Sequence, residues 1–150
     1  MFVFCIYGGY GIQIDKLDVP TKVEVGASAS LKCYFNKEGK DIIIIAWYLN
    51  DQQFYMYKPW YFKPMNVFHL KNDPLCVNKE KSDMHTVSIY NITVKAKGFY
   101  MCEIITGPPN FVKAKKSAWM DVTVTNYGTS SFLFVFHSLI YNSILLNMIT

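Results

Sequence analysis

Four cysteines (Cys5, Cys33, Cys76, Cys102) and three histidines (His69, His85, His137) are the side chains of this 150-residue chain best suited to chemistry. A reactive thiol needs a neighbouring histidine or a cationic environment. A structural zinc site needs Cys and His in pairs a few residues apart. Neither pattern occurs: there is no CxxC pair, and the histidines are scattered without a motif around them. Nucleophile elbow, phosphate-binding loop and paired carboxylates are also missing from the sequence. The expectation is a protein that is not an enzyme, with no metal, no other cofactor and no small-molecule substrate. What is left for cysteine is a covalent bridge, which requires an oxidising compartment. The net charge of +4 comes without an Arg-dense stripe. Nucleic acid is therefore not an expected partner, and only a weak preference for an acidic one follows.

A bridge has to be positioned by something, and the middle of the chain supplies strands. Half of the residues are apolar and the aromatic share is high, which favours strands over helical bundles. Alternation of period two dominates from Leu17 to Thr125. Ala29, Leu31 and Cys33 share one side of "ASASLKCYF", and Trp47 shares the parity of Ile43, Ile45 and Leu49 in "IIIIAWYL". Tyr100, Cys102 and Ile104 share one face of "FYMCEIIT", and Met120, Val122 and Val124 one face of "AWMDVTV". Asn50–Asp51, Pro59, Gly98 and Gly107–Pro109 punctuate these runs. No segment sustains helical periodicity over ten or more residues, so an all-β sandwich or barrel is expected.

Cys33 lies at the inward parity of an early strand and Cys102 at that of a late one. Trp47 is inward on the strand after Cys33, and Tyr100 stands two residues before Cys102. A bridge between sheets, a Trp packed on it and a tyrosine corner define an immunoglobulin-like β-sandwich with Greek-key connections. Such a bridge closes a loop of about 70 residues and is worth roughly 4 kcal/mol in the chain-entropy model. The long interval between the two cysteines leaves room for extra strands after Trp47, which favours the variable (V-set) type with about nine strands. Cys76, in the polar stretch "NDPLCVNK", stays open between pairing with Cys5, pairing between chains, and a free thiol.

Three segments carry a closer likeness: "LDVPTKVEVGASASLKCYFNKEG", "IAWYLNDQQFYMYKP" and "GFYMCEIITGPPNFVKAKKSAWMDVTV". With Trp47-Tyr48, Phe54-Tyr55-Met56-Tyr57-Lys58-Pro59, Tyr100-Met101-Cys102-Glu103 and Pro109-Asn110-Phe111, they resemble the first Ig domain of the beaten-path family of insect neuronal surface and secreted proteins. The resemblance spans Leu17 to Val124. It implies binding in trans to sidestep-type Ig-superfamily receptor ectodomains, in axon guidance and cell adhesion. Two departures stand out. Members usually carry a second Ig domain, and Ala96 replaces the Asp common four residues before the corner Tyr. The alternative function is a soluble Ig-fold immune or pathogen-binding effector.

Parity also nominates a partner face. With Trp47, Cys102 and Val122 inward, Ala46, Tyr48, Met101, Glu103, Trp119, Asp121 and Thr123 point outward. Tyr48, Met101 and Trp119 form an apolar and aromatic patch, of the type that marks interaction surfaces. "QFYMYK" adds either Phe54 and Met56 or Tyr55 and Tyr57, since parity is ambiguous after the turn. Lys113, Lys115 and Lys116 read as a solvated edge that discourages strand pairing. Asn91-Ile92-Thr93 is the only N-glycosylation sequon, and Asn91 is expected on the opposite sheet. Residues 1–16 read as a truncated secretory signal or an ill-defined start, 17–125 as the domain, and 126–150 as an apolar tail. The run from Phe132 to Ile149 carries no charge, and its length approaches the ~20 residues of a spanning helix. A lipid-anchor (GPI) signal, a short membrane anchor and a tail without function all remain open for it. The expected location is extracellular, either secreted or at the cell surface.

Overall fold

The computed structural model describes residues 11–125 other than Glu38. Cys5 and the apolar tail lie outside the described residues. Ten strands follow one another along the chain: β1 (Gln13–Asp18), β2 (Lys22–Glu24), β3 (Ala29–Asn36), β4 (Ile42–Leu49), β5 (Gln52–Tyr57), β6 (Met65–Val67), β7 (Cys76–Asn78), β8 (Thr86–Tyr90), β9 (Gly98–Thr106) and β10 (Lys113–Thr123). They form two packed sheets, of order β1-β3-β8-β7 and β2-β10-β9-β4-β5-β6. This is the variable-type sandwich, with all pairs antiparallel among the described residues except β2 with β10.

The first stretch of chain serves both sheets. β1 pairs with β3, the chain bends through Val19-Pro20-Thr21, and β2 then runs parallel to β10. Proline cannot donate to a ladder, so it suits the point where the chain leaves one sheet for the other. Ile12, just before β1, and Ile14 within it are buried in the core.

Asn50 and Asp51 both adopt positive φ, +47° and +65°, as a two-residue hairpin turn between β4 and β5 requires. Asn50 also ties this turn to β9. Its carboxamide accepts from the Phe99 backbone N–H (3.0 Å) and donates to the Lys97 carbonyl (3.4 Å). A Cβ at Gly98 would land on that carboxamide, so the glycine makes room for the clasp.

Cys33 and Cys102 form the inter-sheet disulfide, with Cα atoms 6.4 Å apart. Trp47 is fully buried and lies directly opposite Cys102 in register. The Tyr100 hydroxyl donates to the Ala96 carbonyl at 2.7 Å. The corner therefore forms without an Asp at position 96, because its acceptor is a backbone group. Leu31, Ile45, Val87, Ile89, Ile104 and Met120 fill the space around the bridge. Val124, expected inward, lies beyond the end of β10 and is 60% exposed. Cys76 opens β7 opposite Tyr90, half-buried and without a disulfide partner among the described residues.

Candidate recognition face

The outer surface of the six-stranded sheet is built by register. Cross-strand partners share a face, so Ala46 (β4), Glu103 (β9) and Lys115 (β10) form one row across it. Tyr48, Met101 and Ser117 form the next row, and Phe99 with Trp119 a third. Met56 and Gln53 extend the first two rows onto β5.

Glu103 sits at the centre of the face but is only 5% exposed. The Tyr48 hydroxyl donates to its Oε2 at 2.8 Å, and Lys115 Nζ lies 3.2 Å from its Oε1. Burial alone would raise this carboxyl's pKa. The Tyr48 hydroxyl, the Lys115 ammonium and the charge of Lys113 outweigh it and hold the pKa below the ordinary value. Tyr48 moves the other way: desolvation, then its bond to the Glu103 carboxylate and that group's charge, push its pKa up to about 12. At neutral pH the pair is thus a phenol donating to a carboxylate. Glu103 lies on the outer face as expected, but its carboxylate is turned onto its own neighbours, where it orients Tyr48 and Lys115.

A second cluster closes one end of the face. Phe99 and Trp119 meet edge to face, with centroids 4.8 Å apart, and both are exposed. Lys97 lies 5.9 Å from the Trp119 ring and 2.8 Å from an Asp121 carboxylate oxygen. The bond to Lys97 is the main cause that lowers the Asp121 pKa. Met101, half-buried, links this cluster to Tyr48.

Of the two alternatives for β5, only Met56 faces outward, and Phe54, Tyr55 and Tyr57 are corrected. Phe54 and Tyr55 are fully buried, and Tyr57 packs against the core. A bulge explains this. Trp47 pairs with Tyr55 but Tyr48 pairs with Gln53, which leaves Phe54 as an extra residue. Two successive aromatics therefore turn inward. Phe54 meets Tyr100 edge to face at 6.1 Å, and the Tyr55 hydroxyl donates to the Asp83 carbonyl at 2.8 Å. The outward positions are Gln53 and Met56. Phe99 was missed, although it shares the parity of Met101 and Glu103.

The lysine edge divides by parity. Lys115 serves the face, whereas Lys116 reaches across to β1, where its ammonium donates to the Asp15 carbonyl at 3.0 Å. His85 stacks on Phe35 at 4.7 Å, and Asp83 Oδ1 accepts the backbone N–H groups of His85 and Thr86. Both residues thus have structural partners. Among the described residues no group of three His, Cys, Asp or Glu converges as a metal site, and no helix is long and apolar enough to cross a membrane.

Two sheets joined by a bridge, with a Trp packed over it, a tyrosine corner and an extra pair of strands after β4, define an immunoglobulin variable-type domain. The chain belongs to the immunoglobulin V-set family, whose domain model matches residues 17–124. The V domain of amphioxus IgVJ-C2 is similar, with 18% identity and a TM-score of 0.54 over 69% of this chain and 99% of that one. Dpr2 Ig1-Ig2 in complex with DIP-Theta Ig1-Ig3 is another similar structure, with 21% identity and a TM-score of 0.50 over 79% of this chain and 38% of that one. No curated protein matches the chain.

Proposed function

We propose that this protein is an extracellular or cell-surface recognition module that binds an Ig-type partner domain through the outer face of its six-stranded sheet. The observation that carries the proposal is the face itself. Tyr48 and Met101 at its centre and Phe99 with Trp119 at its end make a continuous apolar and aromatic surface, and the one buried charge on it, Glu103, is already neutralised by its neighbours. Aromatic and Met side chains are the enriched anchors of protein interfaces. Internal pairing of Glu103 removes the penalty of desolvating an unpaired charge when a partner docks. Dpr2, a protein of similar fold, was solved in complex with another Ig protein, DIP-Theta, which is in keeping with an Ig-type partner.

The beaten-path resemblance narrows the partner to a sidestep-type receptor ectodomain, met in trans during axon guidance or adhesion. Attachment through the apolar tail, by a lipid anchor or a short span, would present the domain at a surface. Asn91 is exposed and directly follows β8 of the other sheet, so a glycan there would leave the face open. Surface plasmon resonance of the oxidised protein against sidestep-type ectodomains tests the proposal. Binding is expected, with a loss of about thirtyfold or more for Met101→Lys at an interface centre. Failure to bind would remove that partner, and binding that survives Met101→Lys would remove the face.

A further inference from the structure

A second surface, at the loop end of the sandwich, is independent of the sheet face. We infer that the loop between β5 and β6 is a membrane-docking tip: Trp60, Tyr61 and Phe62 enter the interface of an anionic bilayer while Lys58 and Lys63 meet its headgroups. The three consecutive aromatics are 70%, 64% and 98% exposed. Such exposure of large apolar rings is not needed to build the fold, since the core is complete beneath them.

The loop is nevertheless well constructed. Its base is closed by the Lys58 N–H to the Pro64 carbonyl at 2.7 Å, and its turn by the Tyr61 N–H to the Lys58 carbonyl at 3.1 Å. The Trp60 indole N–H donates to the Ile42 carbonyl at 2.9 Å, which ties the loop to the start of β4. Lys58 Nζ sits 5.0 Å from the Tyr61 ring. The Gly107 N–H to Asp41 carbonyl bond, 2.8 Å, brings the β9–β10 loop to the same end, and Phe111 on that loop is 65% exposed.

Shape and charge select the occupant. Three successive side chains on one tight turn splay apart, so a protein partner would have to supply a separate pocket for each. A bilayer interface accepts them together, and it is where Trp and Tyr partition, amphipathic rings at headgroup depth. The segment "KPWYFKP" has a lysine on each flank and no acid, which complements a negatively charged leaflet. β10 runs from this end to Thr123, so the tip faces away from the point where the chain leaves the sandwich. A tip so placed would meet an opposing membrane.

The test is sedimentation of the full chain with phosphatidylcholine vesicles, with and without about 30 mol% phosphatidylserine, in a Trp119→Phe background. Trp47 is fully buried, so the exposed indole in that background is Trp60. Its emission is expected to shift blue and to be quenched by brominated lipid, a signal that the C-terminal tail cannot produce. Tyr61→Ser with Phe62→Ser should weaken the part of binding that depends on phosphatidylserine roughly tenfold or more. Lys58→Gln with Lys63→Gln should do the same and also flatten the salt dependence. Neither pair of substitutions should move the melting temperature, because Tyr61, Phe62 and Lys63 are exposed and the ammonium of half-buried Lys58 meets the exposed Tyr61 ring. Unchanged vesicle binding in both variants, or a Trp60 emission indifferent to anionic lipid, would overturn the inference. So would loss of a protein partner, rather than of vesicles, on substituting the three aromatics.

Discussion

Tyr48→Phe isolates one hydrogen bond on the proposed recognition face. The substitution keeps the ring and removes only the hydroxyl that donates to Glu103 Oε2 at 2.8 Å. A hydrogen bond to a charged group contributes about 1.5–3 kcal/mol when well buried. Glu103 is buried but Tyr48 is half-buried, and solvent screening reduces the figure to about 1 kcal/mol. For a domain of this size that corresponds to a fall in Tm of about 4 °C at pH 7. The sign of the pH dependence follows from Glu103. Its pKa is depressed in the folded state, so its contribution is complete above the ordinary carboxylate pKa and is lost as pH falls below that value. The Tyr48→Phe difference should therefore be largest near neutrality and shrink in acid. Thermal unfolding followed by circular dichroism at pH 7 and about pH 3 measures both. In a double-mutant cycle with Glu103→Gln, the coupling should be about 1 kcal/mol at pH 7. Equal losses at the two pH values, or no loss at pH 7, would refute the pairing of a phenol with an ionised carboxylate.

Three further outcomes probe the scaffold. Replacing Cys33 and Cys102 together by Ala should lower the unfolding free energy by about 4 kcal/mol, read as a fall in urea midpoint with reference to the oxidised protein. Tyr100→Phe should cost about 1–3 kcal/mol in the same assay, because it leaves the Ala96 carbonyl without the hydroxyl that serves it in a buried corner. Gly98→Ala should destabilise by about 1–3 kcal/mol, since its methyl group displaces the Asn50 carboxamide from Phe99. Amide exchange at Phe99 should accelerate in that variant.

Much of the scaffold can be read along the chain because strand parity is local. The inward positions of Cys33, Trp47, Tyr100 and Cys102 follow from alternation within single strands, and the bridge, the packed Trp and the tyrosine corner follow from those positions. The outward positions of Tyr48, Met101 and Trp119 are legible for the same reason. Tertiary structure was needed wherever alternation breaks. The extra residue Phe54 reverses parity within β5, so Phe54 and Tyr55 both enter the core and Tyr57 follows. Such a bulge is set by the pairing of β5 with β4, and nothing in "QQFYMY" alone announces it. Glu103 shows a different limit. Its outward direction was legible, but its burial depends on Tyr48 and Lys115, which arrive from the two flanking strands β4 and β10. Alternation assigns a side chain to a face of a sheet. Which groups cover it there is decided by the register between strands, and register is a property of the folded chain.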